Sequence, residues 1–290
     1  MSTPNSHYIG RFAPTPTGPL HFGSLVAALA SYLDARAHQG KWLLRIEDLD
    51  PPREDPNARS FIPQQLEAHG LFWDDAIVYQ SDQAEFYEDA LSTLRDRGFI
   101  FPCTCSRKQL SATQGRHQGN CHSSLDAPHA WRLSVPNDNV SFNDEIYGHY
   151  SQQLLMDVGD QVLKRKDGLY AYQLAVVVDD YLSHVTHIVR GVDLLDNTPR
   201  QLYLQQCLRY PKPHYLHLPL VVNDQGQKLS KQNQARAIDL DTPYENLCRA
   251  LEFLEQACPR ERMSISELLE WATARWQPQS IPPSHGGLIG

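Results

Sequence analysis

Most of the features that would place this 290-residue chain quickly are missing. No stretch approaches about 18 uninterrupted apolar residues, so no membrane span is expected. Basic residues are in deficit, with 26 Lys+Arg against 34 Asp+Glu and a net charge of −8. That balance argues against indiscriminate nucleic-acid binding and leaves room only for a local basic face. Met1 to Gly10 lacks a basic-then-apolar run, so no secretory leader is expected and the cytoplasm is the default compartment. There is no G-x-x-x-x-G-K-[ST] loop and no G-x-G-x-x-G after a strand, which sets P-loop and dinucleotide readings aside. Internal repeats and low-complexity runs are absent too. What remains is ordinary globular text, 41% apolar and 21% charged, enough for a real core in one large domain or two modest ones.

Six cysteines are present, and three of them, Cys103, Cys105 and Cys121, fall close together. In a reducing compartment, clustered thiols point to metal more than to disulfides. With His117 they form C-x-C-x11-H-x3-C, three thiolates and an imidazole that satisfy a closed tetrahedral Zn²⁺ site. His122 and His129 are rival fourth ligands. One structural zinc per chain is expected, since no catalytic motif lies nearby and so short a module needs a staple. Cys207, Cys248 and Cys258 read as small buried hydrophobes.

Tyr8 to Phe12 reads as a strand, Ala13 to Pro19 as a turn too rich in proline for a helix, and His21 to His38 as a helix stopped by Gly40. Lys41 to Glu47 alternates like a strand. Strand, turn, helix and strand in about 40 residues make a βαβ unit with a right-handed crossover. Helices are expected over Ala58 to His69, Gln83 to Arg97 and Thr198 to Leu208, and two more over about 242–257 and 264–275. Val185 to Arg190 and His217 to Val222 read as strands, with a turn at Asn223 to Gly226. Leu174 to Val178 fits either a buried strand or a helix, and the tail from about 277 reads as loose. The pattern predicts an α/β, doubly wound Rossmann-like parallel sheet with an inserted zinc-binding module and a small helical C-terminal region. Its expected divisions are 1–98, the insertion at 99–165, the returning sheet at 166–223, and 224–290.

Pro14 to Ser24 lies at a strand-to-helix turn, where an α/β sheet presents a helix N-terminus to an anion. Gly18 and Gly23 permit close backbone approach, and His21 supplies a donor in the first turn. Far downstream, Lys228-Leu-Ser230-Lys231 sets two cations around a serine, a clamp for phosphates. Alone, the histidine reads as a cap residue and the lysines as a solvated loop. Together they resemble the two signature motifs of class I aminoacyl-tRNA synthetases, His-Ile-Gly-His and Lys-Met-Ser-Lys-Ser. Here they stand as His21-Phe-Gly23-Ser24 and Lys228-Leu-Ser230-Lys231-Gln232, departing from the pattern at Ser24 and Gln232.

Arg11-Phe-Ala-Pro-Thr-Pro-Thr-Gly18, Arg45-Ile-Glu-Asp-Leu-Asp50, Val176-Val-Val-Asp-Asp180, Val189-Arg-Gly-Val-Asp193 and His217-Leu-Pro-Leu220 extend the resemblance to the glutamyl-tRNA synthetase catalytic core, from about residue 8 to 235. The resemblance implies L-glutamate as substrate. Arg11 and Arg190 match the family's carboxylate-binding arginines, residues suited to bidentate recognition. Ala13 and Thr15, with Phe12 before them and Pro14 between, match its first loop. Glu47 matches the acid that takes the ammonium, and Tyr172 the substrate-contacting tyrosine. ATP with Mg²⁺ is implied as co-substrate, held by His21, Gly23, Ser24, Lys228, Ser230 and Lys231, of which His21 and the two lysines would be catalytic. The family's insertion carries zinc ligands at the cysteine positions, with one aligned to His117.

The full glutamyl-tRNA synthetases that the chain resembles continue well past the lysine motif into an anticodon-binding domain, whereas 59 residues follow Lys231 here. The chain thereby resembles the family's short paralogues, the glutamyl-Q tRNA(Asp) synthetases. The resemblance implies tRNA-independent activation of glutamate and its transfer to queuosine in the anticodon stem-loop of tRNA(Asp), by a monomer. Arg107, Lys108, Arg116, Lys164 and Arg165 are candidate RNA contacts. Competing expectations are a synthetase that charges the tRNA 3′ end, a non-catalytic relic that binds glutamate or RNA, and a small-molecule nucleotidylyltransferase.

Overall fold

A computed structural model describes residues 8–106, 108–114, 116–117, 126–222, 236–283 and 287–288. β1 (Ile9–Phe12) leads through the proline-rich turn into α1 (Phe22–Ala37), and β2 (Lys41–Ile46) returns parallel to β1. Gly40 makes the return possible, because a Cβ there would lie 2.4 Å from the Tyr8 carbonyl oxygen. Next come α2 (Ala58–Ala68), β3 (Val78–Tyr79) and α3 (Ala84–Asp96). β4 (Ile100–Cys103), β5 (Ala130–Leu133), β6 (Asn139–Asp144), β7 (Gly148–Gln153), the short α4 (Leu154–Asp157) and β8 (Gln161–Lys164) follow. Then come α5 (Tyr172–Leu182), β9 (His187–Gly191), α6 (Thr198–Leu208), β10 (His214–Leu218) and β11 (Val221–Val222). The last elements are α7 (Pro243–Phe253), α8 (Ile265–Thr273) and β12 (Gly287–Leu288).

β1, β2 and β3 are parallel neighbours, as are β9, β10 and β6, and β7 closes that edge antiparallel. β1 lies beside β9: the Thr186 N–H donates to the Ile9 carbonyl at 2.9 Å, and the Ile9 N–H donates to Thr186 Oγ1 at 2.9 Å. From β1 the chain winds outward through β2 and β3, and from β9 it winds the other way through β10. The switch point between β1 and β9 opens a crevice at the strands' carboxyl ends, where an α/β sheet takes its ligand. α1 packs one flank of that crevice, with Leu25, Ala28, Leu29 and Leu33 fully buried between the sheet and α7 and α8.

The Val176-Val-Val178 run resolves as helix, because α5 is enclosed and burial there outweighs the strand preference of valine. The expected strand from His217 to Val222 is two pieces, since Pro219 has no N–H for a ladder and breaks the run after Leu218. The tail is not loose where it is described. Trp276 Nε1 donates to Asp34 at 2.8 Å, Ile281 is buried, and Gly287–Leu288 pairs in parallel with Val221–Val222. The stretch 99–165 feeds two sheets. β4, β5 and β8 form a small antiparallel sheet, whereas the β6–β7 hairpin joins β10. Among the described residues no helix is long and apolar enough to cross a membrane.

Candidate active site at the carboxyl ends of β1 and β9

A cavity of about 800 Å³ fills the crevice. Arg11, Phe12, Ala13, Pro14, Thr15, Glu47, Tyr172 and Arg190 all line it, and so do His21, Gly23 and Ser24. Residues from four elements and one turn, far apart in the chain, thus share a single space. Lys228, Ser230, Lys231 and Gln232 lie outside the described residues.

One wall is a buried charge network. Arg11 Nε donates to Asp180 Oδ1 at 3.1 Å, and Arg45 Nη1 donates to the same oxygen at 2.7 Å. Arg45 Nη2 also reaches Glu47 Oε1 at 3.3 Å. Burial pushes the Asp180 carboxyl up, but the two guanidinium groups outweigh it and hold the group below the usual carboxylate range. For Glu47 burial wins, and its affinity for a proton is raised despite Arg45 and Arg11. Behind them, Asp179 accepts from Gln80 Nε2 at 2.6 Å and from the Tyr87 hydroxyl at 2.9 Å. Burial there pushes Asp179 up to about 6.

The opposite wall carries Arg190, at the end of β9. Its Nε donates to His217 Nε2 at 3.1 Å and its Nη2 to Thr198 Oγ1 at 2.8 Å. Nη1 is buried with no hydrogen-bond partner among the described residues. A buried guanidinium nitrogen without a protein partner in a cavity wall is a donor open to a ligand or a water.

The third side is the start of α1. His21 is its N-cap, and His21 Nδ1 accepts from the Ser24 N–H at 3.2 Å. That bond places the proton of the neutral ring on Nε2, which meets Ser24 Oγ at 3.2 Å. Gly18 holds φ +146°, a backbone state that side chains rarely adopt, so the turn depends on glycine there. On either side of the undescribed 223–235 stretch, Val221 lines the cavity, and Ala237 bridges to His21 while the Ile238 N–H donates to the Leu20 carbonyl.

A crevice built this way offers guanidinium donors, one acid of raised proton affinity and a helix N-terminus at a strand switch point. The protein-family model described as tRNA synthetases class I (E and Q), catalytic domain, matches residues 9–275. A protein of Neisseria meningitidis serogroup B called glutamyl-Q tRNA(Asp) synthetase is 50% identical over 287 residues, covering 95% of this chain and 97% of its own length. One of the same name from Ectopseudomonas mendocina is 50% identical over 284 residues, covering 97% of each chain. The chain belongs to the glutamyl-Q tRNA(Asp) synthetase family. Its fold is also that of a glutamate tRNA ligase from Elizabethkingia meningosepticum, with a TM-score of 0.80 at 22% identity, over 98% of this chain and 67% of that one. Membership makes the protein a ligase of the aminoacyl-tRNA synthetase type, whose chemistry consumes ATP.

A second cluster lies in the small sheet. One ligand atom each from Cys103, Cys105 and His117 falls within 4.8 Å of the others. Two sulfurs and an imidazole are the donor set that zinc takes. His117 Nδ1 donates to Asp160 Oδ2 at 2.8 Å, which leaves Nε2 as the free nitrogen and fixes the ring, the usual arrangement behind a metal-bound histidine. Asp160 is itself held by the Val135 N–H at 3.0 Å. His129 instead bonds the Ala127 carbonyl and stands edge-on to Trp131, and it is not in the cluster. Cys121 and His122 lie outside the described residues.

Of the basic candidates for this family's RNA partner, Arg165 lines the crevice and also, with Lys164, a shallower depression of about 390 Å³. Lys164 pairs with Glu88 and Arg165 with Asp167. Arg116 Nη1 is occupied by the Met156 carbonyl, Lys108 is exposed, and Arg107 lies outside the described residues. Sequence reasoning gave no role to Arg45, Asp180, Asp144, Asp160 or His217. Asp144 and Asp160 lie outside any quoted motif and become informative only once their distant partners are known. Arg45, Asp180 and His217 stood inside quoted motifs, so a signal was there.

Proposed function

We propose that this ligase activates L-glutamate with ATP and transfers it to the queuosine base at the wobble position of tRNA(Asp). The observation that carries the reading is the pairing of Arg190 Nη1, buried and unmatched, with Arg11 and Glu47 in one cavity. Arg11 and Arg190 would take the two carboxylates of glutamate and Glu47 its ammonium, with Tyr172 and the Phe12 to Thr15 loop framing the side chain. His21, Gly23, Ser24 and the Lys228, Ser230 and Lys231 loop would hold the triphosphate. A glutamate carboxylate oxygen attacks the α-phosphorus, the bond to the β-phosphate oxygen breaks, and pyrophosphate leaves. Positioning and charge stabilisation carry that step without a general base. Mg²⁺, arriving with ATP, neutralises phosphate charge. A hydroxyl of the queuosine base then attacks the glutamyl carbonyl and AMP departs.

The relatives' shared name, at half the residues identical over nearly the full chain, supports queuosine in tRNA(Asp) as the acceptor. We further infer one structural Zn²⁺ held by Cys103, Cys105, His117 and Cys121, and a cytoplasmic monomer that docks the anticodon stem-loop. The divisions 1–98, 99–165, 166–223 and 224–290 describe its organisation, with the β6–β7 hairpin lent to the main sheet. The deciding experiment offers radiolabelled glutamate and ATP to tRNA(Asp) with and without queuosine, and to the isolated anticodon stem-loop. Labelling only of the queuosine-containing RNAs is expected. Equal labelling of both tRNA forms, sensitive to periodate treatment of the 3′ end, would instead mean charging of the terminal ribose.

A further inference from the structure

We propose that Asp144 and His217 are positioning residues for glutamate recognition, forming a buried relay that fixes the guanidinium of Arg190 and keeps its Nη1 available to a substrate carboxylate. The proposal rests on the reading of Arg190 as a carboxylate-binding group.

The relay follows from sheet register. β6 and β10 are parallel neighbours with Asp144 opposite Tyr215, which puts the Asp144 carboxylate within reach of His217, two residues further along. Asp144 Oδ1 accepts from the Ile146 and Tyr147 N–H groups at 3.0 Å each. Asp144 Oδ2 accepts from the His217 backbone N–H at 3.1 Å and from its ring Nδ1 at 2.6 Å. Both side chains are completely buried. A carboxylate offers acceptors only, so the ring proton of His217 sits on Nδ1 and Nε2 carries the lone pair. Burial, the largest influence, together with the Arg190 charge outweighs the opposing pull of Asp144 and holds the imidazole below its ordinary proton affinity. The neutral ring therefore keeps Nε2 as an acceptor for the Arg190 Nε–H.

The rest of the guanidinium is accounted for. Nη2 donates to Thr198 Oγ1 at 2.8 Å and to the Leu194 carbonyl at 3.3 Å, and the plane lies over the Tyr215 ring at 5.3 Å. The His217 ring lies nearly parallel to that of Tyr215, 8° apart with centroids 6.0 Å apart. Two edges of the fork are thus pinned by protein and one is left over. An arginine with one free edge and no rotational freedom binds a carboxylate in a single orientation, with little ordering cost when the ligand arrives.

The test is glutamate-dependent exchange of pyrophosphate into ATP, a reaction that needs no RNA. His217→Leu keeps apolar bulk and removes the acceptor, while His217→Gln supplies a carbonyl in its place. In His217→Leu the KM for glutamate should rise about tenfold or more, the loss expected when a hydrogen bond to a charged group goes, while the KM for ATP stays within about twofold. His217→Gln should bring the glutamate KM back toward the wild-type value. A merely structural role would move both KM values together and show no rescue. Should His217→Leu not fold, Asp144→Asn is the second variant. Its amide donates to Nδ1, drives the ring proton to Nε2 and sets two N–H groups face to face, so the glutamate KM should rise again. A folded His217→Leu or Asp144→Asn protein with the wild-type glutamate KM overturns the relay. Arg190→Ala separates the two layers. If it raises the glutamate KM while the relay variants do not, only the relay fails; if it leaves the glutamate KM unchanged, the reading of Arg190 fails first.

Discussion

The crevice and the small β4–β5–β8 sheet both bury polar groups, but they hold them in different ways. In the crevice, opposite charges from separate elements balance one another: Arg11 of β1 and Arg45 of β2 share Asp180 of α5. That balance belongs to the polypeptide, so the pocket stands before any ligand arrives. In the small sheet, Cys103, Cys105 and His117 converge on a point where only a cation would reward the convergence. β4 and β5 each bury residues only at their two ends, and Ile100, Leu133 and Leu163 join the apolar cluster of α3, α5 and α6. Crevice geometry is therefore a property of the chain, while beside the small sheet the chain presents a donor set that a metal would complete.

The largest break in this contrast should come from Asp180→Ala. It leaves two guanidinium groups buried without their shared partner, a loss on the order of 3–5 kcal/mol of stability. Pyrophosphate exchange should vanish with it. Urea unfolding of the variant checks the first part, and a protein within about 1 kcal/mol of wild type would show that water, not Asp180, balances those charges. Cys103→Ser should act more locally. Hydrogen exchange should quicken in β4, β5 and β8 and bound zinc should fall, while glutamate-dependent pyrophosphate exchange persists. A variant that keeps its protection without zinc removes the metal from the account. Loss of exchange activity in step with the small sheet would show that the two regions are not independent.

The contrast also marks what could be read from the chain alone. The crevice residues were legible through motifs shared, in chain order, with the glutamyl-tRNA synthetase catalytic core, with Arg11 and Arg190 at the ends of apolar strand text. The βαβ start, α1, α6 and the C-terminal helices were legible from period and stop signals. Partnership across distance was not. Arg11 and Asp180 are 169 residues apart, Asp144 and His217 are 73 apart, and His117 and Asp160 are 43 apart. Nothing local says which acid answers which base, because sheet order decides it. The same holds for Val176 to Val178, where enclosure on all sides set the helix, and for the tail, whose Trp276 and Ile281 find their sites only once α1 is in place. Pro219 was visible as a strand breaker and should have split the last strand.

The smallest effect is expected at the opposite ends of the crevice strands, where polar rings are held neither by charge balance nor by metal. His187 of β9 stacks between Tyr8 at 4.0 Å and His214 of β10 at 4.7 Å, with His38 at the end of α1 6.1 Å away. Asp34 accepts from the Tyr8 hydroxyl, and Glu145 lies close by. Burial, helped by His214 and His38, lowers His187 from its ordinary 6.5 to about 4. As pH falls through 6.5 the unfolded chain takes up a proton that the folded chain refuses, so stability declines until His187 itself titrates near 4. Glu145, pushed up by burial beside Asp34 and Asp144, works in the opposite sense and blunts the decline. His187→Phe keeps a stacking ring and removes the titration. Its melting temperature should therefore drop by a few degrees less than wild type between about pH 7.5 and 4.5, while pyrophosphate exchange at neutral pH is untouched. Parallel melting curves for the two proteins would show that His187 does not carry the acid sensitivity.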